Sequence, residues 1–168
     1  DDEIQVTYDS VDGIENGKAA HRREFGISKG TFWSPSGDML AFYHMDESMV
    51  SEYPLVKTDS RVAETKMIRY PMAGMTSHQV KVGVYNIKKK NTIYLKTGIP
   101  KEKYLTNITW GPEEKYIYIA ELNRDQNHLQ LNKYNAESGD FIKTLFEEKN
   151  SRYVEPEHEL YFPENRND

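Results

Sequence analysis

The chain has 168 residues, 22 basic and 27 acidic side chains, a net charge of -5 and no cysteine. An acidic balance excludes a broad basic nucleic-acid surface, which needs clustered Lys and Arg. The missing cysteines exclude a disulfide framework, a thiolate metal site and a Cys nucleophile. No apolar run approaches the roughly 20 residues of a membrane helix, and the opening Asp1-Asp2-Glu3 carries no leader pattern. Twelve Tyr, six Phe and two Trp in a chain of mean hydropathy -0.82 predict a folded domain with a thin, aromatic-rich core.

Period-2 alternation dominates the chain. Residues 4–8 read as the last strand of a preceding unit. Thr31-Phe32-Trp33 forms a short strand, Ser34-Pro35-Ser36-Gly37 a turn, and residues 39–45 an apolar strand. Residues 46–79 are polar, contain Pro54 and Pro71, and lack alternation, so they form an excursion. Residues 80–85 and 92–95 then supply two more strands, joined by a turn at 88–91. The clearest stretch follows. Strands at 105–110, 116–120, 128–134 and 141–146 are separated by short polar or Gly-containing turns, which predicts one antiparallel meander. Residues from Tyr153 onward begin a further unit.

Trp33-Ser34-Pro35 leading to Leu40 and Phe42 matches Trp110-Gly111-Pro112 leading to Ile117 and Ile119. A strand ending in Trp, a Pro turn and an apolar strand thus occur twice. Radially repeated four-stranded units define a β-propeller. The expected fold is all-β: a partial β-propeller of about two four-stranded antiparallel blades plus flanking strands. The first blade covers about 25–97, with the excursion at 46–79, and the second about 104–147. Partial blades lie at both ends of 1–168. A closed propeller needs roughly four blades or more, so the chain reads as a piece of a larger domain whose open edges invite self-association, for example as a homodimer.

Several residue groups could carry chemistry. Gly26-Ile27-Ser28-Lys29-Gly30 fits G-x-S-x-G, but a nucleophile elbow needs a helix after its Ser, and here a strand follows. Ser28 therefore reads as a loop residue, and no catalytic residue is assigned. The histidines at 21, 44, 78, 128 and 158 have no metal-ligand spacing, and Glu155, Glu157 and Glu159 around His158 read as solvated acids, so no metal or other cofactor is expected. Asp46-Glu47 reads as a turn or ion-pair partner, and Lys88-Lys89-Lys90 as a charged hairpin tip. Asn107-Ile108-Thr109 is a glycosylation sequon inside a predicted strand. In His21-Arg22-Arg23-Glu24, opposite charges crowd beside Phe25. Glu24 at the mouth of a propeller could accept charge-assisted hydrogen bonds from a substrate ammonium, but the residues alone read more simply as an exposed mixed-charge loop.

The chain resembles the N-terminal β-propeller of the dipeptidyl peptidase IV family, a branch of the prolyl oligopeptidase-like serine peptidases. The resemblance rests on Phe32-Trp33-Ser34-Pro35, Leu40-Ala41-Phe42, Asp46-Glu47-Ser48 with Val50, and Tyr70-Pro71-Met72-Ala73-Gly74. It covers about residues 13–162, and His21 to Gly26 looks most like Bacteroides-type members. The resemblance implies a C-terminal α/β-hydrolase domain in the same polypeptide that carries Ser, Asp and His, leaving this chain inert alone. It implies a periplasmic or extracellular exopeptidase, often cutting after Pro, whose propeller shapes substrate access and grips a peptide's free N-terminus. The family has adjacent Glu before the Trp-Ser-Pro strand; here Glu24 holds one such place, while Arg22 and Arg23 stand where further acids belong. A single acid suits a prolyl tripeptidyl-type relative, or a substrate held partly by other loops. A non-enzymatic propeller scaffold binding protein or glycan is the alternative reading.

Overall fold

The computed structural model describes residues 3–163, so the ends of the predicted segment, residues 1–2 and 164–168, lie outside the described residues. Among the described residues there are eleven strands and a single 3-10 turn, His21–Arg23. The second blade follows the sequence reading closely. Strands β8 (Tyr104–Trp110), β9 (Tyr116–Leu122), β10 (His128–Asn135) and β11 (Phe141–Lys149) pair in order as one antiparallel meander. Its β9 is the central element: Ile117 and Ile119 are fully buried, as is Leu122, because sheet neighbours lie on both edges and packed layers on both faces.

The first blade is built from β2 (Thr31–Trp33), β3 (Met39–Asp46), β6 (Gln79–Asn86) and β7 (Asn91–Tyr94). A short β1 (Ile14–Asn16) pairs with the far end of β3, opposite Asp46, Met45 and His44, while β2 takes Phe42, Ala41 and Leu40 on the same edge. The flanking strand thus falls at 14–16, and residues 4–8 are irregular, with Ile4 and Tyr8 exposed and no ladder partner. Residues 153–163 likewise form no strand; they run back across the second blade. The 46–79 excursion is a hairpin of β4 (Glu52–Lys57) and β5 (Glu64–Arg69), six paired positions long and exposed along nearly its whole length.

The core lies between the blades. Val80, Val82 and Val84 of β6 alternate toward Leu105, Ile108, Trp110, Ile117 and Ile119 of the second blade, with Tyr43 and Tyr134 closing the cluster. Burying a side chain of this size is worth about 1.5–3 kcal/mol. On the other face of β6, Gly83 lies opposite Phe42, whose ring would stand 2.6 Å from any added Cβ. Glycine there lets the aromatic ring lie flat on the strand.

Polar contacts fix the blades' relative register. The free edge of β8 is capped by side chains of the first blade and of the turn that precedes it: Leu105 N–H donates to His21 Nε2 at 3.1 Å, and Leu105 C=O accepts from Tyr43 OH at 2.7 Å. Trp110 Nε1–H donates to Phe32 C=O at 2.9 Å, and Ser36 donates through N–H and Oγ to Glu114 at 2.5 and 2.6 Å. The two repeated tryptophans therefore differ in role. Trp110 is buried between blades, whereas Trp33 is 57% exposed at the rim of a cavity.

Candidate functional site

Glu24 ends a tightly wound turn. His21, Arg22, Arg23 and Phe25 all have left-handed backbones, with φ of 52°, 55°, 65° and 56°. None is glycine, and each such residue costs on the order of 1–2 kcal/mol, so the shape is held from outside. On one side His21 is buried and bonded to Leu105 N–H. On the other, Arg22 donates to Arg69 C=O and stacks 4.8 Å from the Tyr70 ring. Arg69 is itself tied to Asp12 at 2.7 Å and to the carbonyls of Ser48 and Val50. Tyr70, singled out as the start of a motif, thus acts as a seat for the turn.

Glu24 returns to an extended conformation, φ -66° and ψ 165°, with its N–H donated to His21 C=O at 3.0 Å. Among the described residues its carboxylate has no hydrogen-bond or ion-pair partner, leaving its lone pairs available. It lines a cavity of about 330 Å³ with Phe25, Tyr104, Gln126, Glu155 and Glu157. The Phe25 and Tyr104 rings pack at 4.9 Å, forming an aromatic wall beside three carboxylates.

Glu155 and Glu157, read from sequence as solvated acids of a tail, are brought to Glu24 by that tail's course. Val154 N–H donates to Gln126 C=O at 2.7 Å, and Asn107 Nδ2–H reaches Pro156 C=O at 3.4 Å. Gly26, at φ 71°, approaches so closely that an added Cβ would lie 2.6 Å from Glu157 O. The signal for this packing was Gly26 itself, a glycine directly after the Glu24-Phe25 pair.

The remaining candidates fall elsewhere. Ser28 is exposed in the loop before β2 and lines a separate cavity of about 260 Å³ with Trp33, Trp110, Lys29 and Glu159. Asp46 is an Asx-turn: burial opposes its charge, but bonds from the Ser48 N–H and Oγ hold its carboxyl below the usual range. Burial raises the neighbouring Glu47, against the pull of Arg22. Lys88 and Lys89 pair with Asp38 and Glu137 at 2.6 and 3.1 Å. Asn107 sits half-buried at a bulge of β8 with its side-chain amide engaged. Among the described residues no group of three or more His, Asp or Glu side chains could hold a metal ion, and no helix is long and apolar enough to cross a membrane.

These features define a segment of a β-propeller with a carboxylate-lined cavity on a strained turn. The chain belongs to the dipeptidyl peptidase IV (DPP IV) N-terminal region family, whose sequence model matches residues 1–168. A Bacteroides ovatus protein assigned as dipeptidyl aminopeptidase IV has a crystal structure similar to it, at TM-score 0.86 and 55% identity over 92% of this chain. The structure of Porphyromonas gingivalis dipeptidyl peptidase 4 is similar at TM-score 0.82 and 29% identity over 93% of the chain. Dipeptidyl aminopeptidase B of Saccharomyces cerevisiae is 32% identical over 62% of the chain. This chain spans 22% and 23% of the two crystallised proteins and 14% of the yeast one, less than a quarter of each.

Proposed function

We propose that this chain is the substrate-recognising propeller segment of a serine-type exopeptidase, periplasmic or extracellular, that takes peptides with a free N-terminus. The bond-breaking Ser, Asp and His belong to a C-terminal α/β-hydrolase domain of the same polypeptide, and the segment itself positions substrate. The observation that carries the reading is the free Glu24 carboxylate, held by a strained turn at a cavity shared with Glu155 and Glu157. An α-ammonium placed there has charged acceptors on two sides and an aromatic wall beside them. Fixing a peptide by its charged end sets the distance to the scissile bond and so the length of the released unit. A homodimer, expected from open blade edges, belongs to the same reading.

The experiment is Glu24→Gln in the full-length enzyme. A hydrogen bond to a charged group is worth about 1.5–3 kcal/mol, so kcat/KM for free-amine peptides should fall by about tenfold or more. N-terminally blocked peptides should change little. An equal loss for both classes would make Glu24 structural and return the segment to the scaffold reading.

A further inference from the structure

Two histidines with no sequence motif between them meet inside the protein. His21 and His78 are 3% and 6% exposed, and His78 Nε2 lies 3.0 Å from His21 Nδ1. The chemistry of one backbone group fixes both rings. Leu105 N–H can only donate, so His21 Nε2 is an acceptor and the His21 proton sits on Nδ1. That N–H donates to His78 Nε2, which places the His78 proton on Nδ1, a buried atom with no partner. A further proton on either ring would point a donor at a donor. Both rings are therefore neutral, in the Nδ1–H form.

The surroundings agree from every side. Tyr43 of β3 and Tyr104 of β8 pack edge-on against His21 at 6.4 and 5.2 Å. Around His78 stand Arg22 from the turn and Arg124 from the β9–β10 connection, which oppose a positive ring, and Glu102, which favours one; Ser77 and Lys103 complete the wall. His21 is also the first residue of the left-handed turn, and its carbonyl accepts the Glu24 N–H.

We propose that the neutral His21–His78 pair positions Glu24: it ties the turn to the β8 edge and so holds the carboxylate in its cavity. The pair would touch no substrate; it acts through Glu24, and the proposal rests on Glu24 accepting the substrate ammonium.

The test uses the full-length enzyme and four variants: Glu24→Gln, His21→Phe, His78→Phe, and Glu24→Gln combined with His21→Phe. Phe keeps the ring volume and removes both bonds of His21. KM for free-amine peptides should rise at least tenfold in His21→Phe while the rate of fluorophosphonate labelling stays that of the wild type. The double variant should be no worse than Glu24→Gln alone, because the two changes act on one contact. Additive losses, or a matching loss of labelling, would make the pair a general structural element and overturn the proposal. Should His21→Phe not fold, His78→Phe leaves the Leu105 bond intact and breaks only the pair; an unchanged KM there overturns the proposal equally. If Glu24→Gln itself leaves KM unchanged, the Glu24 reading fails, and that result is separate from any result on the histidines.

Discussion

Acid should loosen this protein well before its carboxylates begin to titrate, and the histidine pair sets the amount. Burial, reinforced by His78, lowers His21 from 6.5 to about 3; burial, with Arg22 and Arg124, lowers His78 to about 4. In the unfolded chain both rings take a proton near pH 6.5. The unfolded state then binds more protons, so stability is complete above that pH and falls as pH drops toward 4. Between pH 7 and 5 each ring removes about 2 kcal/mol, and the pair about 4 kcal/mol. A domain of this kind has only about 5–15 kcal/mol to lose. Unfolded Asp and Glu titrate near pH 4, so the histidines dominate this window, and Glu47, raised by burial, acts in the opposite direction. Urea unfolding followed through the buried Trp110 at pH 7, 6 and 5 measures the slope. The His21→Phe/His78→Phe double variant should be nearly flat over the same range. A wild-type loss under about 1 kcal/mol, or an unchanged slope in the double variant, would refute the assignment of two buried neutral rings.

Two further perturbations test the packing around the site. Gly26→Ala forces a Cβ to within 2.6 Å of Glu157 O at a left-handed φ; it should cost about 1–2 kcal/mol from the backbone alone and expose the Val154 amide to hydrogen exchange. Lys103→Met removes the cation from a pair at 2.5 Å, 11% and 5% exposed, leaving Glu121 with the Tyr134 hydroxyl. An uncompensated buried charge costs about 3–5 kcal/mol, so the melting temperature should fall by roughly 10 °C or more. A neutral outcome would mean that the buried Lys103–Glu121 pair adds no net stability.

Most of the architecture was legible because strands that bury one face must alternate. Residues 80–85 and 105–134 follow that rule, and the repeated Trp-x-Pro turns tied two meanders into one architecture. The β4–β5 hairpin escaped because almost none of it is buried; with no face to hide, its residues have no reason to alternate, and Pro54 sits within a strand that has only one partner. Glu24 was visible as a charged residue beside an aromatic one. Its neighbours Glu155 and Glu157, and the meeting of His21 with His78, were not. Each depends on a long-range backbone approach, at Gly26 and at Leu105, that no local spacing encodes.

The capping of Leu105 has a consequence for anyone who would splice propellers. The first blade and the turn before it recognise β8 through a peptide N–H and C=O, which every non-proline residue carries. Side chains along that strand can therefore drift while docking persists, but a single inserted or deleted residue would move the wrong peptide group under His21 and Tyr43. A chimera cut between these blades would strand both groups in the dry interior. Exchangeable modules in this protein are better drawn as blade pairs than as single sheets.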